Sequence, residues 1–361
     1  MKWDIAVNQG RLLGFGWGRG DPSRTIHKVA WIRWFVQIPS WFLLIILAIL
    51  PVGWFRWRRS WAREDRRIAR RYLLVGSSIP LIALIILGAL LAINTTYLGP
   101  GERPLSGWTS HAAVLAESEE SGIKLTVMTY NIWMGHAYKG FWRFRKAEDV
   151  ADCICRIGEL IKKYDPDLVF LQEVVMESGP DSIDQTPLIA EVAGMHAWWF
   201  GEAFNHGLPF YRMIEGNAIL SRWPLEVVAN QPMSGRSPFY KLWLANQRTL
   251  WCKTRIGEHE VLLASVHLTS EKDEFRPIQM QQILDFVGDR PAIIAGDFNA
   301  SPGTTVIQRI MDTGMFQAQL SRIDHIFVPR TWELIEHKVI ESDLSDHLPV
   351  LATYRIPLTD K

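Results

Sequence analysis

The sequence predicts an α/β or α+β layered sandwich preceded by two membrane-spanning helices. Three observations carry this prediction. Two long uncharged runs occur before residue 102, and strand-like and helix-like segments alternate after residue 122. The apolar runs of that second part begin or end, one after another, in a carboxylate, an amide or an imidazole.

The uncharged runs are Trp34 to Phe55 and Tyr72 to Gly101. Each exceeds the roughly 20 apolar residues that cross a ~30 Å hydrocarbon core. Soluble helices rarely stay charge-free over such a length, so a transmembrane hairpin over residues 34–101 is expected rather than two core helices. Pro51 and Pro80 are tolerable in spans, where neighbouring helices and water satisfy the freed carbonyls. The intervening loop, residues 56–71, holds eight Arg against Glu64 and Asp65. Arg-rich short loops stay cytoplasmic, which places the C-terminal domain on the extracytoplasmic side of an integral membrane protein with two spans. The N-terminal segment, residues 1–33, is also net basic and pulls the other way. Trp31, Trp34, Trp41, Trp54, Trp57 and Trp61 flank the first span, as interfacial aromatics do.

Charge divides the chain at the same place. Residues 1–120 carry 15 Lys+Arg against 8 Asp+Glu, whereas residues 121–361 carry 24 against 30. Cys153, Cys155 and Cys252 show no metal-binding spacing, and Cys153 and Cys155 point to different faces of a helical stretch.

Residues 102–122 read as a linker, with Pro104, Gly107 and an acidic, serine-containing run from Glu117 to Ser121. A catalytic domain is expected over residues 123–361. Strands are expected at residues 124–132, 167–174, 216–224, 242–256, 260–268, 291–302, 322–329 and 348–356, with helices at 147–164 and 277–289. The aromatic stretch from Met195 to Tyr211 reads as core and loop packing in preference to a lipid-facing wall.

The polar residues at strand ends are Asn131, Glu173, Asn217, His267, Asp297 with Asn299, Asp324 with His325, and Asp346 with His347. One such residue is usually a satisfied core group; recurrence on strand after strand fits a shared cleft better. Carboxylates and amides without thiolate suit a hard cation, Mg²⁺ first, then Mn²⁺ or Ca²⁺. Imidazoles with carboxylate partners supply proton transfer near neutral pH. Together these describe hydrolysis of a phosphate ester. The sequence contains neither a Gly-rich phosphate loop nor a GxSxG elbow, which removes support for nucleoside-triphosphate and serine-hydrolase chemistry.

The motifs TYNI, LQEV, GNAILSR, SVHL, GDFN, RIDHIFV and SDHLPV resemble, in that order, those of the endonuclease/exonuclease/phosphatase superfamily. The resemblance runs from about residue 124 to 355. It implies a four-layer α/β sandwich: two packed mixed sheets flanked by helices, with the site at one end. It also implies roles. Glu173 would be the principal Mg²⁺ ligand, helped by Asn131 and Asp346. Asp297 would position or deprotonate the attacking water, with Asn299 holding the phosphoryl group. His347, oriented by Asp324, would be a base or transition-state stabiliser, and His267 would protonate the leaving oxygen. Asn217 and Arg248 would contact substrate. Relatives usually carry a long substrate-contacting loop between GDFN and RIDHIFV. Here only Ala300 to Ser321 separate them, which implies a more open cleft.

The substrate expectation rests on the anchor and the charge. An acidic domain with scattered basic residues weighs against tight duplex binding. Tethering raises the effective concentration of membrane lipids near the site. A lipid-linked phosphate is therefore favoured, with a membrane-tethered nuclease as the alternative and other small phosphoesters behind it. An inactive membrane adaptor is the reading from another class. No obligate protein partner is expected.

Overall fold

The computed structural model describes residues 9–12, 15–19, 34–37, 81–88, 105–111, 118–119, 122–136, 147–178, 183–208, 211–235 and 247–358. The chain divides into two compact units, Met1–Ile93 with Gly207–Tyr211, and Asn94–His206 with Arg212–Lys361.

In the first unit, β1 (Gln9–Leu12), β2 (Phe15–Arg19) and β3 (Trp34–Gln37) form an antiparallel sheet in the order β1-β2-β3. The beginning of the expected first span is thus a strand. Trp-Phe-Val-Gln suits that state, being aromatic and β-branched, and it pairs with β2. Residues 81–88, inside the expected second span, are helical, and Leu81, Ile82, Leu84, Ile85, Ile86 and Leu87 are 42–65% exposed. Among the described residues no helix is long and apolar enough to cross a membrane. Most of the expected hairpin, with its Arg-rich loop, lies outside the described residues.

The second unit contains two mixed sheets. One runs β16-β17-β6-β7-β9-β8-β4, with β5 beside β6. Its strands are β4 (Leu105–Trp108), β5 (Ser118–Glu119), β6 (Gly122–Asn131), β7 (Leu168–Ser178), β8 (Ala197–Leu208), β9 (Tyr211–Ser221), β16 (Glu333–Val339) and β17 (Val350–Ile356). The other runs β10-β11-β12-β13-β15-β14. It comprises β10 (Glu226–Pro232), β11 (Arg248–Ile256), β12 (His259–His267), β13 (Ala292–Asp297), β14 (Phe316–Leu320) and β15 (Asp324–Pro329). Strands β4 and β5 fall within the stretch read as a linker, so the large sheet reaches back to Leu105.

Alternation along the strands builds the layers. Leu125, Val127, Leu168, Phe170 and Ile219 of the large sheet meet Leu250, Leu263, Ile293 and Ile326 of the small one. The opposite faces bury Met128, Tyr130, Val169 and Leu171 against α1 (Ala147–Tyr164) and α2 (Gln185–Ala193). Trp251, Val266 and Ile294 of the small sheet pack on α3 (Arg276–Val287) and α4 (Thr305–Met311). The order helices, sheet, sheet, helices is the expected four-layer sandwich. The aromatics of β8 are part of it, since Trp198 and Phe200 lie in the core.

The helix α1 forms where Cys153, Ile154, Ile157 and Ile161 recur on one face. Glu148 and Asp149 in its first turn and Lys162 and Lys163 in its last complement the helix dipole. It also connects β6 to β7, which pair in parallel, and α3 connects the parallel β12 and β13. Parallel neighbours require such crossovers, and the crossover brings both carboxyl ends to the same rim. That rim carries Asn131, Glu173, His267 and Asp297.

Candidate active site

Strand register sets the first contacts. His267 is the partner of Asp297 across β12 and β13, and Asp297 is the partner of Asp324 across β13 and β15. Gly296 makes this close approach possible. A Cβ there would stand 1.9 Å from the Val266 carbonyl oxygen, and φ is +152°. The glycine of GDFN is thus a backbone requirement of the site.

Around Asp297 the groups converge. Its Oδ2 lies 3.7 Å from Nε2 of both His267 and His347 and accepts from Asn131 Nδ2 at 3.2 Å. Its Oδ1 accepts the Asn299 backbone N–H at 2.8 Å. The Asn131 amide also donates to Glu173 Oε1 at 3.2 Å, and His267 Nε2 stands 4.0 Å from that oxygen. Asn299 fixes its own amide by donating to the Leu268 carbonyl at 2.9 Å.

Backbone strain marks two of these residues. Glu173 has φ +53° and Asn299 φ +46°, both in the left-handed region. For a residue such as Glu this conformation costs about 1–2 kcal/mol, and strain of this kind concentrates at functional sites. Glu173 sits in a register shift between Leu171 and Val174 of β7, where the irregularity re-aims its carboxylate out of the strand alternation.

His347 is oriented by Asp324, whose two oxygens lie 3.1 and 2.9 Å from its Nδ1. Burial opposes the imidazolium, but the hydrogen bond to Asp324 and the carboxylates of Asp324, Asp297 and Asp346 raise its pKa to about 9. At neutral pH His347 is therefore a charged donor, which favours the stabilising role over that of a base. Burial pushes the Asp324 carboxyl up, against the lowering hydrogen bond from His347. The Ser345 hydroxyl donates to the Asn131 carbonyl at 2.7 Å and accepts the His347 N–H at 3.2 Å, tying this loop to the end of β6. The neighbouring His325 is structural. Burial lowers its pKa, and the neutral ring bonds the Ala300 carbonyl and the Ser321 N–H, closing the short segment between GDFN and RIDHIFV.

A cleft of about 240 Å³ is lined by Glu173, His267, Asp297, Asn299, Arg248 and His347, together with Ala203, Glu215, Gln247 and Ser270. The last four carry no motif signal beyond proximity: Gln247 precedes Arg248, and Glu215 stands two residues before Asn217 on one strand. Four expected residues are not among those lining the cleft: Asn131 and Asp324, which bond to lining residues, and Asn217 and Asp346. Asn217 is 1% exposed and does not line the cleft; its amide donates to the Arg248 carbonyl at 2.8 Å and the Ser265 carbonyl at 3.4 Å, joining β9 to the other sheet. Asp346 is exposed and does not line the cleft either; its Oδ1 accepts from the Ser345 hydroxyl at 3.3 Å.

The donor set fits a hard divalent cation. Glu173 and Asp297 offer carboxylate oxygens, and Asn131 turns its Nδ2 to both of them while its Oδ1 accepts the Trp133 N–H at 3.0 Å; the buried Cys252 belongs to the core between the sheets and Cys153 to the core beneath α1 and α2. Asp297, Asp324 and His347 also place ligand atoms within 4.8 Å of one another. Because Asp324 spends both oxygens on His347, that trio suits proton handling better than metal holding, and the Glu173 side is the better seat.

The family model described as the Endonuclease/Exonuclease/phosphatase family matches residues 128–347. No curated protein sequence matches the chain. Among solved structures, an endonuclease/exonuclease/phosphatase from Beutenbergia cavernae DSM 12333 is 21% identical, with a TM-score of 0.53 over 65% of this chain and 72% of that one. A functionally unknown conserved protein from Enterococcus faecalis V583 is 20% identical, with a TM-score of 0.48 over 64% and 99%. The human Nocturnin catalytic domain with bound sulfate is 19% identical, with a TM-score of 0.46 over 64% and 93%.

Proposed function

The chain belongs to the endonuclease/exonuclease/phosphatase family and is a metal-dependent phosphoric ester hydrolase; from this premise we propose that it is membrane-anchored, uses Mg²⁺ and acts on lipid-linked phosphate. The observation that carries the chemistry is the Asp324–His347 pair facing Asp297 across 3.7 Å. Glu173 would hold the metal, its carboxylate positioned by the Asn131 amide, and the metal when bound would supply Lewis-acid polarisation and charge neutralisation at the phosphoryl group. Asp297 accepts the proton of the attacking water through Oδ2, with its other oxygen fixed by the Asn299 N–H. The His347 imidazolium donates toward the charge that develops on phosphoryl oxygen, a form of stabilisation that a preorganised donor provides without reorganising. His267 protonates the leaving oxygen, and Arg248 together with Asn299 holds the phosphoryl group.

Support for the membrane comes from the two uncharged runs and from residues 81–88, whose leucines and isoleucines are exposed on a helix. Apolar surface of this kind is stable against lipid and unstable against water. The Arg-rich loop supports an extracytoplasmic catalytic domain. The full-length protein should be offered sphingomyelin, phosphatidylinositol phosphates and plasmid DNA side by side with Mg²⁺. Preferential turnover of a lipid supports the substrate reading. Turnover of DNA alone replaces it with a membrane-tethered nuclease, and turnover of none leaves the adaptor reading.

A further inference from the structure

The strained backbone around Glu173 is held by a residue that belongs to none of the motifs. Parallel pairing of β6 with β7 stops at Asn131 and Gln172, and β7 runs on to Ser178 without that neighbour. Gln185, the first residue of α2 and 1% exposed, bonds to β7 there. Its Oε1 accepts the Val175 N–H at 2.9 Å, and its Nε2 donates to the Met134 carbonyl at 2.8 Å. Val175 stands two residues after Glu173, and Met134 three residues after Asn131. One amide thus joins the strand beyond the carboxylate to the turn beyond the amide that positions it.

The joined segments are the strained ones. Glu173, Trp133 and Met134 have φ of +53°, +44° and +56°, and Gly135 follows at +70°. Non-glycine residues persist in this region only where the surrounding structure over-determines them. The Trp133 N–H donates to Asn131 Oδ1 at 3.0 Å, and Asn131 Nδ2 donates to Glu173 Oε1 at 3.2 Å. These contacts close a ring from Glu173 to Asn131, to the turn, to Gln185, and back to β7 at Val175. The turn leaves little room to shift, since a Cβ on Gly135 would stand 2.8 Å from Ile154 Cδ1 and 3.3 Å from Gln185 Nε2. Val175 is 4% exposed, so loss of the glutamine oxygen leaves a buried N–H without a partner. Gln185 itself does not line the cleft and acts through the backbone. We propose that Gln185 is a positioning residue for the cation seat: by locking the turn after Asn131 to β7 after Glu173, it holds the Glu173 carboxylate in place and sets the affinity of the site for a divalent cation. The inference rests on the reading of Glu173 as the residue that holds the metal.

The test uses the full-length protein in detergent, with Mn²⁺ as the probe ion followed by EPR. The Mg²⁺ dependence of bis-p-nitrophenyl phosphate hydrolysis is measured beside it. Gln185→Leu removes both bonds and should raise the Mn²⁺ Kd by about 10–100-fold, the usual effect of losing a partner that orients a metal ligand. The half-saturating Mg²⁺ concentration should rise by a similar factor, and excess Mg²⁺ should restore most of kcat. Gln185→Glu keeps an acceptor for Val175 but loses the donor to Met134. It should shift both constants in the same direction, and it carries the test if the leucine variant does not fold. Ile189→Val loosens the buried face of α2 and leaves the clamp intact. It should lower the urea midpoint and keep the wild-type Mn²⁺ Kd, which separates positioning from a general loss of stability. Wild-type Mn²⁺ affinity in the Gln185 variants, or an equal loss of affinity in Ile189→Val, overturns the inference alone. Failure of wild type to bind Mn²⁺, or binding that Glu173→Ala leaves unchanged, overturns the metal reading and the inference with it.

Discussion

At the scale of single residues, the pair of Asp324 and His347 decides the electrostatics. In EDTA the folded pKa of His347, about 9, lies above the ordinary 6.5. Its proton therefore contributes stability that is fully present below about pH 6.5 and is lost as pH rises through about 9. That contribution is at most about 3 kcal/mol, and the burial of Asp324's charge offsets part of it. The urea midpoint of wild type should fall over this window more than that of His347→Gln, and parallel curves would contradict the assignment. Asp324→Asn keeps the shape but removes the carboxylate. Turnover should drop by about 10²–10⁴-fold, the span of a lost acid–base contribution, and the NMR pKa of His347 should fall. Glu173 offers a different contrast. Replacement by glycine relieves a left-handed φ worth about 1–2 kcal/mol. Glu173→Gly should unfold at the same or a higher temperature than wild type while losing metal-dependent activity. A clear loss of stability would show that the strain argument is wrong.

At the scale of elements, most of the site was legible because β-α-β connection is a strict rule. Two parallel pairs, β6–β7 and β12–β13, must present their carboxyl ends together, and the residues at those ends were the ones singled out in the sequence. Residues whose work is done through other groups were not legible. Asn217 belongs to a motif, yet its bonds cross between sheets, and nothing in the spacing separates that from a substrate contact. Ser265 was missed for the same reason. Its hydroxyl donates to the Leu171 carbonyl at 3.0 Å and accepts from Gln172 Nε2 at 3.2 Å, joining the sheets beneath the rim. Ser265→Ala leaves buried groups without partners and should cost about 1–3 kcal/mol by urea denaturation. A change near zero would mean that the bridge contributes little. The strands β4 and β5 were hidden inside a Gly- and Ser-containing stretch because both are short, and short edge strands leave almost no period-2 signal.

At the scale of the whole molecule, the layered catalytic unit follows from hydrophobic alternation, whereas the substrate does not, because fold and metal chemistry are shared across many phosphoesters. The N-terminal expectation rests on length of apolar sequence, and the strand at Trp34–Gln37 shows that such a run need not begin as helix. A reporter fused after Lys361 should give an extracytoplasmic signal, and a cytoplasmic signal would refute the argument from the Arg-rich loop. The central claim is that Asp297, with its two imidazoles, drives metal-dependent phosphoester cleavage. It is tested most directly by hydrolysis of bis-p-nitrophenyl phosphate by full-length wild type and Asp297→Asn, each in EDTA and then in Mg²⁺. Wild-type turnover should vanish in EDTA, return with Mg²⁺, and exceed that of the variant by at least about 100-fold; equal turnover by the two proteins would contradict the account.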